Sequence, residues 1–453
     1  MKKLFCDHVF LQTGWAENVL ISINDHGTIN TVQTDASPDP KAEHVSGYVM
    51  PGIANAHSHA FQRAMAGLAE YSSNPKDSFW TWRELMYDFA GKISPDDLYD
   101  IAAFLYMEML EAGYTSVAEF HYLHNAPNGQ PYDDPAIMSK ALLQAAKDVG
   151  IRLTLLPVLY MQGGFGGRSL NNRQKRFENS IDSYLDLLTI LKKETDHIGV
   201  AFHSLRAVAA EAFAPVLDEI GKDTPVHIHI AEQQAEIDEC LAATGQRPVE
   251  WALNHLPLND RWNMVHATHM TPSETERLAQ TKTVAVICPS TEGNLGDSLF
   301  PLDLWQQHKG RIAIGSDSHI SIDPFEELRW LEYGQRLHHQ RRAIYTSPNH
   351  PHTGENLIRA MQESASSALG HPLDGIKAGQ KADMLVIKED IPGMNIAQPD
   401  QRFDNLIFAN RPSAIKNVMV NGSWQLQDTQ HQQSEGIRDK YQKCLTRLIN
   451  TEK

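Results

Sequence analysis

Cysteine is scarce in this chain, and the four present, Cys6, Cys240, Cys288 and Cys444, are scattered with no CxxC pair. That distribution argues against a disulfide framework, and reduced thiols in the cytoplasm are the simpler reading. Long apolar runs are missing too, and no stretch approaches the continuous length of a membrane helix. The first residues, "MKKLFCDHVFLQTGW", have their apolar core interrupted by Asp7, His8 and Gln12 and make a poor signal peptide. Positive charge is in deficit, with 40 Lys and Arg against 56 Asp and Glu and a net charge of −16. This balance argues against a nucleic-acid partner, because phosphate contacts need clustered Lys and Arg. It leaves room for a small anionic substrate, since a few buried arginines act locally against the net field. Internal repeats and low-complexity tracts are absent as well.

What remains is the composition of a soluble globular protein, 42% hydrophobic and 21% charged over 453 residues. That length allows a large core and suits an α/β barrel with insertions. Histidine is abundant, with 22 residues, a first hint of metal or proton chemistry.

The chain opens with strand-like segments, "KLFCDHVFLQ" and "NVLISINDHGTINTVQ", with a turn at Asp25-His26-Gly27. Then short apolar runs alternate with helical patterns. The runs are "YVMPGIANAH" (48–57), "TSVAEFHY" (115–122), "RLTLLPVLY" (152–160), "IGVAFHS" (198–204), "PVHIHIAE" (225–232), "NMVHATH" (263–269), "TVAVICPS" (283–290) and "RIAIGSDSH" (311–319). Eight strands separated by helices predict a (β/α)8 TIM-type barrel over 49–374 rather than an open doubly wound sheet. Short strands return after it, so residues 1–48 and 375–430 are expected to pair into a small β-sandwich domain built from both chain ends. Residues 431–453 have helical spacing and predict a C-terminal helix.

Polar residues fall at the ends of the predicted strands. The first ends in His57 and His59, the fourth in His203, and the fifth in His227, His229 and Glu232. The sixth ends in His266 and His269, and the eighth in Asp317 and His319. Buried polar groups are costly without partners, so this concentration points to a shared centre. A spacing of two lets His57 and His59 face the same side of an extended strand. In a barrel, His229 and Asp317 would complete a nitrogen-rich set suited to zinc. Glu232, taken alone, reads more readily as the N-terminal carboxylate of the helix "QQAEIDECL" than as a catalytic group. Arg83 in "SFWTWREL" and Arg206 in "FHSLRAV" suit carboxylate recognition, although Arg83 alone could equally pair with Glu84 at the surface.

"MPGIANAHSHAFQ", "HIHIAE", "VHATH" and "GSDSH", in this order on barrel strands, resemble the amidohydrolase superfamily over nearly the whole chain, and "GQKADMLVI" in the split β-domain fits the same pattern. The resemblance implies that His57, His59 and His229 are metal ligands and that Asp317 contacts both metal and water. It makes His266 the strand-six histidine that orients the nucleophile or stabilises the intermediate, and Glu232 the proton shuttle of deaminase-type members. "GVAFHS" carries no lysine or carboxylate that could bridge two metals, so one divalent metal per chain is expected, Zn2+ ahead of Fe2+.

The blocks "NAHSHAFQRAMAG", "FWTWRELMY", "VAEFHY", "HSLRAV", "CPSTEGNLGD" and "GSDSHIS" resemble the formimidoylglutamate deiminase family of histidine breakdown more closely. This implies hydrolysis of N-formimidoyl-L-glutamate to N-formyl-L-glutamate and ammonia, with Gln62, Arg83, Tyr122, His203 and Arg206 contacting the substrate. "CPSTEGNLGD" (288–297) is expected to form a Gly-rich loop near the pocket mouth. A homodimer is implied as well. The rival readings are a deaminase or chlorohydrolase of a guanine- or triazine-like ring, and a non-enzymatic assembly protein that has lost the metal.

Overall fold

The computed structural model describes residues 1–71, 79–409 and 414–450. It contains two eight-stranded sheets. The first joins the chain ends: β1 (Lys2–Leu11), β2 (Gly14–Ile23), β3 (Ile29–Gln33) and β4 (Glu43–Pro51) pair with four later strands described below. The second is the barrel, with β5 (Ile53–Ser58), β6 (Tyr114–His121), β7 (Arg152–Leu159), β8 (Val200–Ser204), β9 (Val226–Ile230), β10 (Trp262–His266), β11 (Val284–Ile287) and β12 (Arg311–Ile314) in sequential order. Each neighbouring pair is parallel. The run 48–57, read above as one strand, is therefore two. Its first half lies in β4 of the end sheet and its second in β5 of the barrel, with Gly52 between them.

The barrel strands are covered on both faces, which is why they read as nearly unbroken apolar runs. All positions of β5, β6, β9, β10 and β11 are buried. The helices outside end on local signals. Helix Pro95–Ala112 starts with a capping box between Ser94 and Asp97 and Pro95 in its first turn, and stops at Gly113 with φ 102°.

The ring closes between β5 and the residues following β12, through a parallel bridge between Ser58 and Asp317. Here His59 donates its N–H to the Asp317 carbonyl at 3.2 Å, and Asp317 donates to the His57 carbonyl at 3.1 Å. The approach is close enough to demand glycine. A Cβ on Gly315 would lie 2.7 Å from the His57 Cβ and 2.9 Å from the His57 carbonyl oxygen.

After the barrel come β13 (Met384–Ile387), β14 (Ile415–Val420), β15 (Ser423–Gln427) and β16 (Gln430–His431), giving the order β16-β15-β14-β13-β4-β1-β2-β3. This mixed sheet bends over a core of its own that includes Leu4, Val19, Ile21, Ile29, Val386 and Met419. The turn between β2 and β3 reaches back to the segment before β13, where Ala382 donates to the Gly27 carbonyl at 2.8 Å. The two layers of the expected sandwich are thus halves of one folded sheet. The last helix spans Ser434–Asn450, and residues 451–453 lie outside the described residues. Among the described residues no helix is long and apolar enough to cross a membrane.

Candidate metal centre and active site

The side chains singled out at the strand ends converge at the C-terminal mouth of the barrel. His57 Nε2 lies 3.1 Å from His59 Nε2 and 3.0 Å from His229 Nε2. Asp317 Oδ1 lies 3.3 Å from both His57 Nε2 and His59 Nε2. All four residues are buried. His59 Nδ1 is 2.8 Å from the Phe120 carbonyl and His229 Nδ1 is 3.0 Å from the His203 carbonyl. A carbonyl can only accept, so each Nδ1 carries the proton and each Nε2 turns a lone pair inward. His57 Nδ1 is buried without such a partner.

Burial keeps these rings uncharged. It carries His57 down to about 3, and it lowers His59 and His229 as well. Burial alone would raise Asp317, but the surrounding histidines outweigh it and hold the carboxyl below the usual carboxylate range. Neutral nitrogen lone pairs facing one another and a carboxylate across about 3 Å repel unless a cation lies between them, and that spacing suits ligands of one small ion bound at roughly 2 Å. The donor set therefore fits a single divalent metal.

The backbone is bent to bring these groups together. Ala231, His266, Ala267, Asp317 and His319 all have φ between 46° and 71°, the left-handed region that non-glycine residues usually avoid. Each such residue costs of the order of 1 kcal/mol, and such strain gathers at functional sites. The bend after β9 is held on both sides. Glu236 accepts the N–H groups of Ala231 and Glu232 at 3.2 and 3.1 Å, and Thr268 Oγ1 donates to their carbonyls at 3.0 and 2.9 Å. Glu236, in the first turn of the helix Gln234–Thr244, thus takes the amides of the bend that precedes it, while Glu232 turns its carboxylate into the pocket.

Glu232 Oε1 lies 3.8 Å from His266 Nε2, and Asp317 Oδ2 lies 3.9 Å from the same nitrogen. Burial raises Glu232 to about 7. Burial opposes a charge on His266, yet Glu232, Glu292 and Asp317 outweigh it and raise the ring to about 10.

Beside this cluster is a pocket. Its walls include every sequence-predicted site residue except His57, which lies wholly buried beneath. Gln62 donates to the Tyr122 hydroxyl at 3.0 Å, and its own Oε1 is buried without a partner. Arg206 is buried in the wall, and Arg83 reaches in from helix Phe79–Ala90 with its guanidinium 5.5 Å from the Tyr87 ring. Glu84 pairs with Arg173 at 2.8 Å.

Three strand-end histidines stay out of both the cluster and the pocket wall. His227 points outward, its Nε2 2.8 Å from the Ala368 carbonyl. His319 supports the loop from below, 3.2 Å from both Ser58 Oγ and the His59 N–H. His269 is half-buried, away from the pocket lining.

Sequence reasoning missed Tyr87, Tyr160, Trp82 and Leu295 in the wall, and Glu292 behind His266. Their one signal was membership of aromatic-rich or strand-end segments. The block 288–297 also differs from expectation. It holds the helix Pro289–Leu295, with Gly296 at φ 73° ending it rather than approaching a ligand.

The sequence profile described as the Amidohydrolase family matches residues 48–424. The chain belongs to the amidohydrolase family. This amidohydrolase is 44% identical to a formimidoylglutamate deiminase of Pseudomonas aeruginosa, over 99% of this chain and 100% of the relative. A crystal structure of an amidohydrolase from Brucella melitensis superposes with a TM-score of 0.95 at 40% identity, covering 99% of this chain and 100% of the other. An adenosine deaminase from Xanthomonas campestris, solved with bound zinc, shares the fold at a TM-score of 0.80 and 20% identity, covering 99% and 98%.

Proposed function

We propose that this amidohydrolase hydrolyses N-formimidoyl-L-glutamate to N-formyl-L-glutamate and ammonia, a step of histidine breakdown. The observation that carries the reading is one pocket that joins a cluster of metal-ligand type to two arginines. The full-length identity to a formimidoylglutamate deiminase supports it. The substrate is an amidine with two carboxylates, so one end needs an activated water and the other needs guanidinium groups.

His57, His59, His229 and Asp317 would hold one metal, with zinc the first expectation. A divalent ion there acts as a Lewis acid and makes water nucleophilic at neutral pH. Asp317, ionised, accepts a proton from the water that attacks the formimidoyl carbon. Glu232, poised near 7, delivers a proton to the substrate nitrogen that departs as ammonia. The C–O bond forms first; the C–N bond to that nitrogen then breaks as the second water proton leaves the new hydroxyl, so both water protons, passed through Asp317 and Glu232, end on the departing ammonia and the formyl carbonyl remains. His266, positively charged beside these carboxylates, faces the charge that develops at the reacting carbon. Arg83 and Arg206 hold the substrate carboxylates, while Gln62, Tyr122 and His203 complete the contacts.

The four cysteines are free and buried, which agrees with a reducing cytoplasm. A homodimer is part of the same reading, and sedimentation of the purified protein tests it. The deciding experiment is ammonia release from N-formimidoyl-L-glutamate, run beside N-formimidoyl-L-aspartate, guanine and adenosine. Turnover of the first compound is expected to exceed that of the others, and its absence would reject the proposal.

A further inference from the structure

Helix Pro289–Leu295 carries an unusual cap. Cys288 at its N-cap makes no side-chain cap bond, and the Cys288 N–H is taken instead by Glu292, at 2.9 Å from Oε1. Glu292 is only 4% exposed. A serine or aspartate at position 288 could satisfy an N-terminal amide locally, so capping alone gives no reason to bury a carboxylate four residues on. Its other contact supplies one. Glu292 Oε1 also lies 3.3 Å from His266 Nδ1.

An imidazole is rigid, with its two nitrogens on opposite sides of the ring. Fixing Nδ1 therefore fixes the direction of Nε2. That nitrogen lies 3.8 Å from Glu232 Oε1 and 3.9 Å from Asp317 Oδ2. One ring face stacks on His229 at 5.5 Å and 18°, which sets the plane but leaves open a half-turn about Cβ–Cγ that would exchange each nitrogen with a ring carbon. His266 thus spans from a carboxylate outside the pocket to two inside it.

We infer that Glu292 is a positioning residue for the deimination, acting through His266: it holds Nδ1–H so that Nε2 points between Glu232 and Asp317. The reaction named rests on the proposed function; the hold on the ring does not depend on which substrate is turned over.

The test uses the metal-loaded full chain and the variants E292A, E292Q, H266A and H266A/E292A. E292A is expected to lower kcat about 10- to 100-fold, the usual loss when a partner of a site histidine is removed. KM for N-formimidoyl-L-glutamate and metal content should be unchanged. E292Q keeps an oxygen that can accept from Nδ1–H and should recover part of the loss. In the H266A background E292A should cost nothing further, because the two residues act as one unit. Crystals of E292A should show the His266 ring turned out of its present orientation. An E292A enzyme as active as the parent, an additive loss in H266A, loss of metal, or an unmoved ring would each overturn the inference. If E292A does not fold, E292Q combined with H266A carries the same cycle. A parent that releases no ammonia from this substrate refutes the substrate reading alone, and ring orientation in the variant then decides the role of Glu292.

Discussion

Glu232 and Arg206 line the same pocket but answer to different tests. Glu232 is proposed to handle the proton of the departing nitrogen, and it lies outside the His57–His59–Asp317, His57–His229–His266 and His266–Cys288–Glu292 groups that could hold an ion. E232Q should therefore lower kcat by roughly 10²- to 10⁴-fold, the range for a lost general acid, while metal content stays at the parent level. If metal is lost with activity, Glu232 is a ligand and its assignment fails. Arg83 and Arg206 are assigned to binding. R206M or R83M should each cost about 1.5–3 kcal/mol in kcat/KM, the worth of hydrogen bonds to a charged group. Most of the loss should be in KM, and steady-state kinetics separates the two parameters. Arg206 is buried, so its effect should be the larger.

The strand joints set the geometry those side chains use. Gly315 lies where the end of β12 meets β5, with room for no Cβ against His57. G315A should cost about 1–3 kcal/mol through overpacking, read as a lower unfolding midpoint, and should reduce metal content by displacing His57. On the neighbouring strand β6, Glu119 accepts from Ser58 Oγ and the Ala60 N–H, both at 2.6 Å, and so clamps the loop that carries His59. Burial raises Glu119 to about 7. A carboxyl raised in the folded state favours folding while protonated. Its contribution is fully present below the ordinary carboxyl range and is lost as pH rises through about 7. Denaturant unfolding of the parent and E119Q across that window should show a steeper loss of stability in the parent. Equal slopes would mean that Glu119 titrates normally.

Taken together, the cluster links residues of β5 and β9 with Asp317, so a bound ion would tie one side of the ring to the other. A ligand that binds only the folded state stabilises it by an amount set by its concentration over Kd, about 4 kcal/mol at a thousandfold excess. Chelation should lower the unfolding temperature of the whole protein, and added Zn2+ should restore it. No change on chelation, with metal absent from the purified protein, would leave the histidine cluster without the role proposed for it.

Much of this was legible in the amino-acid order. Eight apolar runs predicted eight barrel strands, because buried parallel strands need apolar side chains on both faces. The spacing of two between His57 and His59 is a local property of an extended strand, so their shared direction could be read without the fold. Residue types and their order on the strands likewise marked His229, Glu232, His266 and Asp317. Other features depended on which strands lie side by side. The run 48–57 belongs to two sheets because Gly52 separates β4 from β5, and hydrophobicity does not register a change of partner. Nothing local distinguishes Glu292 from a solvated helix carboxylate; its contact with His266 exists because β10 and β11 are neighbours. His319 has the same strand-end signature as the cluster residues, yet it lies beneath them as a support. Chain order thus decided which donors are available, and ring closure decided which of them meet, because positions 57, 229 and 317 come within about 3 Å only when β5 returns to β12.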